Sequence, residues 1–225
     1  MTIYKGPKAV QLTPELREYL LDVSVQELPV LKKLREHTAK MPEKDMQILP
    51  EQGQFMRILT KILQPKNILE IGTYTGYSAL CMALAAPNAN LTVLDVNFEW
   101  TKIAEKFWTE AEVRERINLI IAPAEESMKN FSDNSFDLIF IDANKKKYPL
   151  YYQEGLRLLS NQGVMLIDNV LWNGRVIDPD YDDPLTRTIR SLNETIKNDK
   201  GVDICMLPIG DGLTMVSKNG SGGGT

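Results

Sequence analysis

The stretch Ile68-Leu69-Glu70-Ile71-Gly72-Thr73-Tyr74-Thr75-Gly76 decides the fold. It joins an apolar run to a glycine-rich turn, a pattern typical of a buried strand that passes into a helix. The glycines allow the backbone of the turn to approach a ligand closely. Glu70 lies inside the apolar run, where a carboxylate is costly unless it meets a cation or a hydrogen-bond donor. The segment therefore predicts the first strand of an α/β sheet, with a ligand site at its carboxyl end.

Beyond this stretch, short apolar runs alternate with helical patterns. Strands are predicted at residues 68–72, 91–95, 117–121, 136–141 and 164–168. Helices are predicted in the intervals between them, at residues 77–86, 98–113, 124–130 and 147–159. Continuous apolar strands between helices indicate a parallel sheet that is buried on both faces. We therefore expect an α/β fold built on a doubly wound, mostly parallel sheet.

Both ends of the chain extend this core. Before the first strand, the capping and apolar patterns predict helices at residues 13–25, 27–39 and 50–62. After the last parallel strand, a helix at 184–198 precedes strands at 202–207 and 213–217. Gly210-Asp211-Gly212 forms the turn between these two strands, so we expect the sheet to end with an antiparallel strand. Residues 1–50 are predicted to be an N-terminal arm with helices of the same domain, 51–218 the core and 219–225 a flexible tail.

The composition limits the possible partners. The chain has 225 residues, 43% apolar and 25% charged, which suits one globular domain. A net charge of −4 shows no basic excess, so we expect neither nucleic acid nor anionic lipid as a partner. No apolar stretch approaches the ~18 residues of a membrane-spanning helix, and the N-terminus lacks the pattern of a signal peptide. Cys81 and Cys205 are isolated, so we expect two buried thiols in a cytoplasmic protein. His37 is the only histidine, which excludes a histidine-based catalytic triad.

The residue Asp95 predicts a nucleoside site next to the glycine turn. It ends the second strand, where a carboxylate can accept both hydroxyl groups of a ribose. The spacing Gly72-x-x-x-Gly76 differs from the Gly-x-Gly-x-x-Gly fingerprint of dinucleotide sites, which weakens the case for NAD. A sulfonium ligand would instead give Glu70 a positive neighbour.

Asp142, Asp168 and Asn169 predict a metal site. Asp142 directly follows the apolar run at 136–141, and Asp168-Asn169 follow the apolar run at 164–167. Two carboxylates and an amide at neighbouring strand ends form an all-oxygen set that suits Mg²⁺, Mn²⁺ or Ca²⁺. Together with the nucleoside site, this set indicates metal-assisted group transfer.

Four segments carry a resemblance to a known family. Glu70–Ser78, Ile141–Lys145, Asp168–Gly174 and Ile204–Gly212 resemble the caffeoyl-CoA O-methyltransferase-like family. Its members are cation-dependent, S-adenosylmethionine-using catechol O-methyltransferases of the class I methyltransferase fold. The similarity extends from Lys8 to Lys218. The resemblance implies O-methyl transfer to a catechol, a vicinal diphenol, and a homodimer. The apolar N-terminal helices either bury against the second subunit or pack on their own sheet.

The resemblance also implies roles for individual residues. The positions that match cofactor contacts are Ile48, Glu70, Gly72, Thr73, Ser78, Asp95, Ala124, Asp142, Asn144 and Tyr151. Among these, Asp95 would hold the ribose, Ala124 would flank the adenine and Tyr151 would approach the methionine part. The positions that match or adjoin substrate contacts are Lys8, Trp172 and Asn173. Lys8 matches a lysine that contacts coenzyme A in plant enzymes, and Trp172 forms either an aromatic wall of the site or a packing contact.

The chain departs from the plant members of the family at three positions. Asn144 and Gln52 replace acidic residues, and Ile48 replaces threonine. The changes at Asn144 and Ile48 fall on positions that match cofactor contacts. The metal set of Asp142, Asp168 and Asn169 is intact.

Lys145 is the candidate catalytic base. It lies three residues beyond Asp142, and the catechol-methylating relatives have lysine at this spacing. A free phenol has a pKa of ~10, so a cation that stabilises its anion and a base that removes its proton both help the reaction. A nearby dication and partial desolvation favour the neutral amine that a base requires. The alternative is a solvated lysine in the run Lys145-Lys146-Lys147, with the metal activating the hydroxyl alone.

Two other functions compete with methyl transfer: an NAD-dependent oxidoreductase, and a non-catalytic nucleoside-binding module. The first requires a dinucleotide fingerprint, and the second predicts a broken metal set. The sequence does not choose between a CoA ester, a free acid, a flavonoid and a simple catechol, or between meta and para hydroxyls.

Overall fold

The computed structural model describes residues 10–220. The helices are α1 (Pro14–Ser24), α2 (Pro29–Thr38), α3 (Pro50–Leu63), α4 (Tyr77–Ala85), α5 (Phe98–Glu110), α6 (Ala124–Ser127), α7 (Tyr148–Leu158) and α8 (Pro184–Asn198). The strands are β1 (Asn67–Ile71), β2 (Asn90–Asp95), β3 (Ile117–Ile121), β4 (Phe136–Ile141), β5 (Leu159–Asp168), β6 (Val202–Leu207) and β7 (Leu213–Lys218). Short 3₁₀ turns occupy Lys44–Met46, Arg114–Arg116, Met128–Asn130, Lys145–Lys147 and Trp172–Ile177.

The strands form one seven-stranded sheet in the order β3-β2-β1-β4-β5-β7-β6. Strands β1 to β5 are parallel to their neighbours within this set, and β7 is antiparallel to both β5 and β6. The chain moves outward from β1 to β3 and then returns to place β4 on the other side of β1. This reversal opens a crevice at the carboxyl ends of β1 and β4, the usual ligand position in such sheets. The predicted doubly wound sheet with an antiparallel strand is confirmed.

The sheet is buried on both faces, because its apolar residues alternate between two cores. Ile68, Leu138 and Phe140 lie in one core, and Leu69 and Ile139 lie in the other. Helices α2 and α3 contribute Leu31, Leu34 and Met56 to the first core, where these side chains pack with residues of α4 and α5. Within residues 10–220, no helix is both long and apolar enough to cross a membrane.

Some predicted boundaries were wrong. Helix α2 begins at Pro29 rather than Glu27, because a residue before proline avoids helical geometry and Leu28 is extended. Helix α5 ends at Glu110, before the left-handed residue Glu112 (φ 58°). The helix predicted at 124–130 is a short helix, α6, followed by a 3₁₀ turn.

Two further differences concern the second half of the sheet. Strand β5 begins at Leu159 rather than at residue 164, because Leu159 already pairs with Phe136 on β4. A register shift lies between this pair and the next one, Leu138 with Val164, so the polar residues between Leu159 and Val164 belong to the strand. Cys81 is buried as expected, but Cys205 is exposed. Cys205 lies on β6, which is the edge strand of the sheet.

Candidate active site

A large cavity of about 1390 Å³ lies at the carboxyl end of the sheet. Its walls come from the ends of β1, β2, β4 and β5, from the 3₁₀ turns at 44–46 and 172–177, and from the β6–β7 turn. The predicted site residues that line it are Ile48, Gly72, Thr73, Ser78, Asp95, Ala124, Asp142, Asn144, Lys145, Tyr151, Asp168, Asn169, Trp172 and Asn173. Glu70 is buried beside this set, in hydrogen bonds with two of the lining residues, and Lys8 lies outside the described residues. The fold thus brings together positions that are far apart in the chain.

Gly72 permits the close approach of β1 and β4 at the floor of the cavity. It has a φ of +83°, a conformation that disfavours residues with side chains. A Cβ atom at Gly72 would overlap the carbonyl oxygen of Asp142. The predicted cofactor turn and the predicted metal residue are therefore direct neighbours in space.

Asp95 organises the turn around Gly72. Its Oδ2 accepts hydrogen bonds from the backbone N–H groups of Thr73 (2.9 Å) and Tyr74 (3.0 Å). Its Oδ1 accepts from the N–H groups of Val96 (2.7 Å) and Asn97 (2.9 Å). These bonds hold Asp95 and the Gly72 turn in one rigid arrangement facing the cavity. The ring of Tyr74 stands edge-on to Trp100, with centroids 5.0 Å apart, and extends this wall.

Glu70 is fully buried and is hydrogen-bonded by hydroxyl groups. Thr73 Oγ1 donates to its Oε2 at 2.9 Å, and Ser78 Oγ donates to its Oε1. Burial raises the pKa of Glu70 from 4.5 to about 8, although the two hydroxyl groups oppose the shift; the nearby Asp142 and Asp95 add to it. A carboxylate in this position is suited to a positively charged ligand.

The carboxylates of Asp142 and Asp168 lie at the ends of the adjacent strands β4 and β5. Asp168 is 3% exposed, and its Oδ1 accepts a hydrogen bond from the Asn169 N–H at 2.8 Å. Burial, followed by the charge of Asp142, raises the pKa of Asp168 to about 7. Asn169 adopts a left-handed conformation with φ 57°, which is rare outside glycine and asparagine.

These three residues fit a hard divalent cation. A cation would relieve the repulsion between the two carboxylates, and all three side chains offer oxygen atoms of the kind that Mg²⁺ or Ca²⁺ prefers. Among the residues that the structure describes, no group of three His, Cys, Asp or Glu side chains could hold a metal ion. The candidate set instead combines two carboxylates with the amide of Asn169.

Lys145 differs from the lysines that follow it. Its Nζ donates hydrogen bonds to Asp142 Oδ1 and to the Tyr148 hydroxyl, both at 2.7 Å, and lies 4.8 Å from the centre of the Tyr148 ring. The Lys145 side chain is only 15% exposed, whereas that of Lys147 is 45% exposed and pairs with Glu125 at 3.4 Å. Lys145 is also the only basic residue among the described residues that line the cavity. This geometry does not fit a lysine in a solvated run.

The loop after Asn169 is held in place by the β6–β7 turn. Asp211 Oδ1 accepts a hydrogen bond from the Asn173 N–H at 2.5 Å, and the Asp211 carbonyl accepts from the Leu171 N–H at 2.9 Å. Trp172 and Asn173 are left-handed, with φ of 50° and 51°. Such strain at a cavity wall is common at functional sites.

The remaining predicted cofactor positions lie at the edges of the cavity. The hydroxyl of Tyr151 donates to Glu125 at 3.3 Å, which places this tyrosine beside Ala124. Asn144 accepts a hydrogen bond from the Lys146 N–H at 3.2 Å and so caps the 3₁₀ turn that carries Lys145.

Several residues that line the cavity have no role predicted from the sequence, among them Gln52, Tyr74, Trp100 and Asp211. The two glycines beside Asp211 were a possible signal, since they permit the tight packing of this turn.

This fold and site define an S-adenosylmethionine-binding methyltransferase of class I, and comparison with known proteins agrees. The family model described as O-methyltransferase matches residues 21–219. The chain is 38% identical to a probable caffeoyl-CoA O-methyltransferase of Dictyostelium discoideum, with 93% of this chain and 94% of that protein covered. It is 37% identical to catechol O-methyltransferase domain-containing protein 1 of Mus musculus, over 92% of this chain and 82% of the mouse protein.

A solved structure supports the same assignment. The methyltransferase of Podospora anserina, determined with S-adenosylhomocysteine bound, has a TM-score of 0.85 and 28% identity, and the match covers 94% of this chain and 98% of that one. The chain belongs to the O-methyltransferase family and is an S-adenosylmethionine-dependent enzyme.

The replacement Asp95→Ala is expected to weaken binding of S-adenosylhomocysteine. It removes the carboxylate that is predicted to accept the ribose hydroxyls, and it releases the backbone N–H groups of Thr73 and Tyr74 that line the cavity. Hydrogen bonds to a charged group contribute ~1.5–3 kcal/mol, so calorimetry should show a loss of affinity in this range.

The matched control for this replacement is Asp137→Ala. Asp137 also accepts backbone N–H groups, from Lys66 (2.8 Å) and Asn67 (3.1 Å), but at the amino end of β1. Cofactor affinity should stay unchanged in the control. If Asp95→Ala also leaves the affinity unchanged, the nucleoside does not lie at the end of β2.

The replacement Glu70→Gln is expected to stabilise the cofactor-free protein in a pH-dependent way. The pKa of Glu70 is raised from 4.5 to about 8 by folding, so the folded state holds a proton that the unfolded state loses between these values. The resulting loss of folding stability is absent below pH 4.5 and grows as the pH rises toward 8. Thermal unfolding should therefore show a larger gain for Glu70→Gln at pH 8 than at pH 5. Glu126→Gln, at an exposed position, is the control, and equal gains at both pH values would contradict this account of Glu70.

Proposed function

We propose that this enzyme transfers the methyl group of S-adenosylmethionine to one hydroxyl of a catechol, assisted by a divalent cation, with Mg²⁺ as the first choice. The observation that carries the proposal is the shared cavity. Asp142, Asp168 and Asn169 line the same space as the cofactor turn at Gly72, and Lys145 is bonded to Asp142. A vicinal diol can occupy two positions on one cation, which supports a catechol as the substrate.

In this proposal the protein binds, orients and deprotonates the substrate. Asp142, Asp168 and Asn169 would hold the cation, which stabilises the phenolate form, while S-adenosylmethionine supplies the methyl group. Lys145 Nζ would accept the proton of the reacting hydroxyl. Methyl transfer would then form the bond between the hydroxyl oxygen and the methyl carbon and break the bond between that carbon and sulfur, with S-adenosylhomocysteine as the second product.

The walls of the cavity would position the substrate ring. Trp172 and Asn173 line the side next to the metal set, and we assign them to substrate contact. The turn at Asp211 keeps both in place. Lys8, which matches a coenzyme A contact, is proposed to bind the substrate only if the substrate is a CoA ester.

A matched pair of substrates tests the proposal. Labelled S-adenosylmethionine is supplied with a series of catechols and with the monophenol that lacks one of the two hydroxyls in each. We expect label in the catechol products and little in the monophenols, because a single hydroxyl cannot chelate. Equal labelling of both sets would refute the catechol assignment but leave O-methyl transfer intact.

The two competing functions make different predictions. An NAD-dependent oxidoreductase should bind NAD, and a non-catalytic module should bind the cofactor without turnover. The family assignment favours methyl transfer over both. In calorimetry, S-adenosylhomocysteine should bind and NAD should not.

We also propose that the enzyme is a homodimer formed through α1 and α3. Helix α1 contacts α3 and contributes no buried residue of its own. Both helices expose large apolar side chains, which are Tyr19, Val23, Ile58 and Ile62. Exposed apolar side chains on helices that contact each other favour a subunit interface. Sedimentation should show a dimer for the wild type and a monomer for Ile62→Lys, and a monomeric wild type would refute this proposal.

A further inference from the structure

Gln52 is a buried amide that faces the cation end of the cavity. It lies in the first turn of α3, is 2% exposed and lines the cavity. Its Nε2 has no hydrogen-bond partner of normal geometry among residues 10–220. A buried donor without a partner is destabilising, so this donor is expected to be satisfied in the working enzyme.

Asp168 offers an acceptor for this donor. Both side chains are buried in the wall of the same cavity, and the hairpin turn that contacts Gln52 at Gly210 leads into Leu213, the residue paired with Asp168. Asp168 Oδ1 already accepts the Asn169 N–H at 2.8 Å, whereas Oδ2 accepts no hydrogen bond of normal geometry from the described residues. A small rotation of either side chain would therefore satisfy one free donor and one free acceptor.

The β6–β7 turn restricts where the Gln52 amide can go. Gly210, with φ +57°, packs so closely that a Cβ atom there would lie 2.8 Å from Gln52 Oε1. The Gln52 side chain therefore packs directly against this turn.

We propose that Gln52 is a positioning residue for the cation site: its Nε2 donates to one oxygen of Asp168 and thereby aims the other oxygen at the cation. Carboxylates that bind a metal are commonly held by such a second hydrogen bond, and loss of that bond lowers metal affinity ~10–100-fold. The inference rests on the proposed use of a cation. It adds to the predicted metal set a residue from α3, far away in the sequence.

The test measures Mn²⁺ binding by electron paramagnetic resonance on protein saturated with S-adenosylhomocysteine. Gln52→Met keeps the length of the side chain and removes the donor, and Gln52→Leu is the second variant in case one of them does not fold. Gln54→Met is the control, because Gln54 lies on the same helix but hydrogen-bonds Arg57 instead. Retained binding of S-adenosylhomocysteine shows that each variant is folded.

We expect Mn²⁺ affinity to fall ~10–100-fold in the Gln52 variants and to stay unchanged in Gln54→Met. Turnover of the Gln52 variants should recover at high cation concentration, which a purely structural defect would not allow. Unchanged Mn²⁺ affinity in folded Gln52 variants would overturn this inference alone. If the wild type itself binds no Mn²⁺, the cation part of the proposed function fails, and the role of Gln52 fails with it.

Discussion

Replacing Asp168 by alanine is expected to abolish cation-dependent methyl transfer while S-adenosylhomocysteine still binds. The change removes one of the two carboxylates from the proposed cation site, whereas the cofactor turn at Gly72 is held by Asp95 instead. Stabilisation of a developing anion by a bound cation contributes several kcal/mol, so the rate should fall by ~10³-fold or more. Initial rates with labelled cofactor and calorimetry with S-adenosylhomocysteine measure the two properties separately.

The control for this prediction is Asp45→Ala. Asp45 is an exposed carboxylate that lines the same cavity, so its loss removes the same charge from the site. We expect it to retain most of the activity. An Asp168→Ala enzyme as active as this control would show that Asp168 does not serve the reaction.

Replacing Lys145 by alanine is expected to lower kcat far more than it raises KM. Lys145 Nζ is bonded to Asp142, next to where the reacting hydroxyl would lie, and a base acts in the transition state rather than in substrate binding. General-base catalysis contributes ~10²–10⁴-fold, so the loss of kcat should fall in that range. A higher pH should restore part of the rate, because hydroxide can then remove the proton.

Lys146→Ala is the matched control for the lysine prediction. Lys146 is exposed and adjacent in sequence, but it has no bond to Asp142. Its replacement should leave kcat almost unchanged. If both variants lose the same modest activity, the lysines act as a charged surface and the cation activates the hydroxyl unaided.

The fold was predictable because its signals are local. Short apolar strands between helices define a parallel sheet, and the turn Gly210-Asp211-Gly212 marks the hairpin that adds the antiparallel strand. The start of β5 was not predictable, because the polar residues after Leu159 stay in the strand only through pairing with Phe136. Exposure of Cys205 follows from its place on the edge strand, which becomes known only with the strand order.

The candidate site was predictable where residues follow strand ends. Asp95, Asp142 and Asp168 come directly at or after apolar runs, and the carboxyl ends of parallel strands meet at one edge. Gln52 and Asp211 carry no such signal, because they reach the cavity from α3 and from the hairpin turn. Their contacts join segments that are distant in the sequence, and only the packed structure shows them.

Activation of a catechol hydroxyl by a divalent cation that this chain holds is tested most directly by the rate of labelled methyl transfer to one vicinal diphenol. The rate is measured first in excess chelator and then during titration with Mg²⁺. We predict no transfer with chelator and a rate that rises with free Mg²⁺ to saturation, while binding of S-adenosylhomocysteine stays constant throughout. Full activity in excess chelator would contradict the claim.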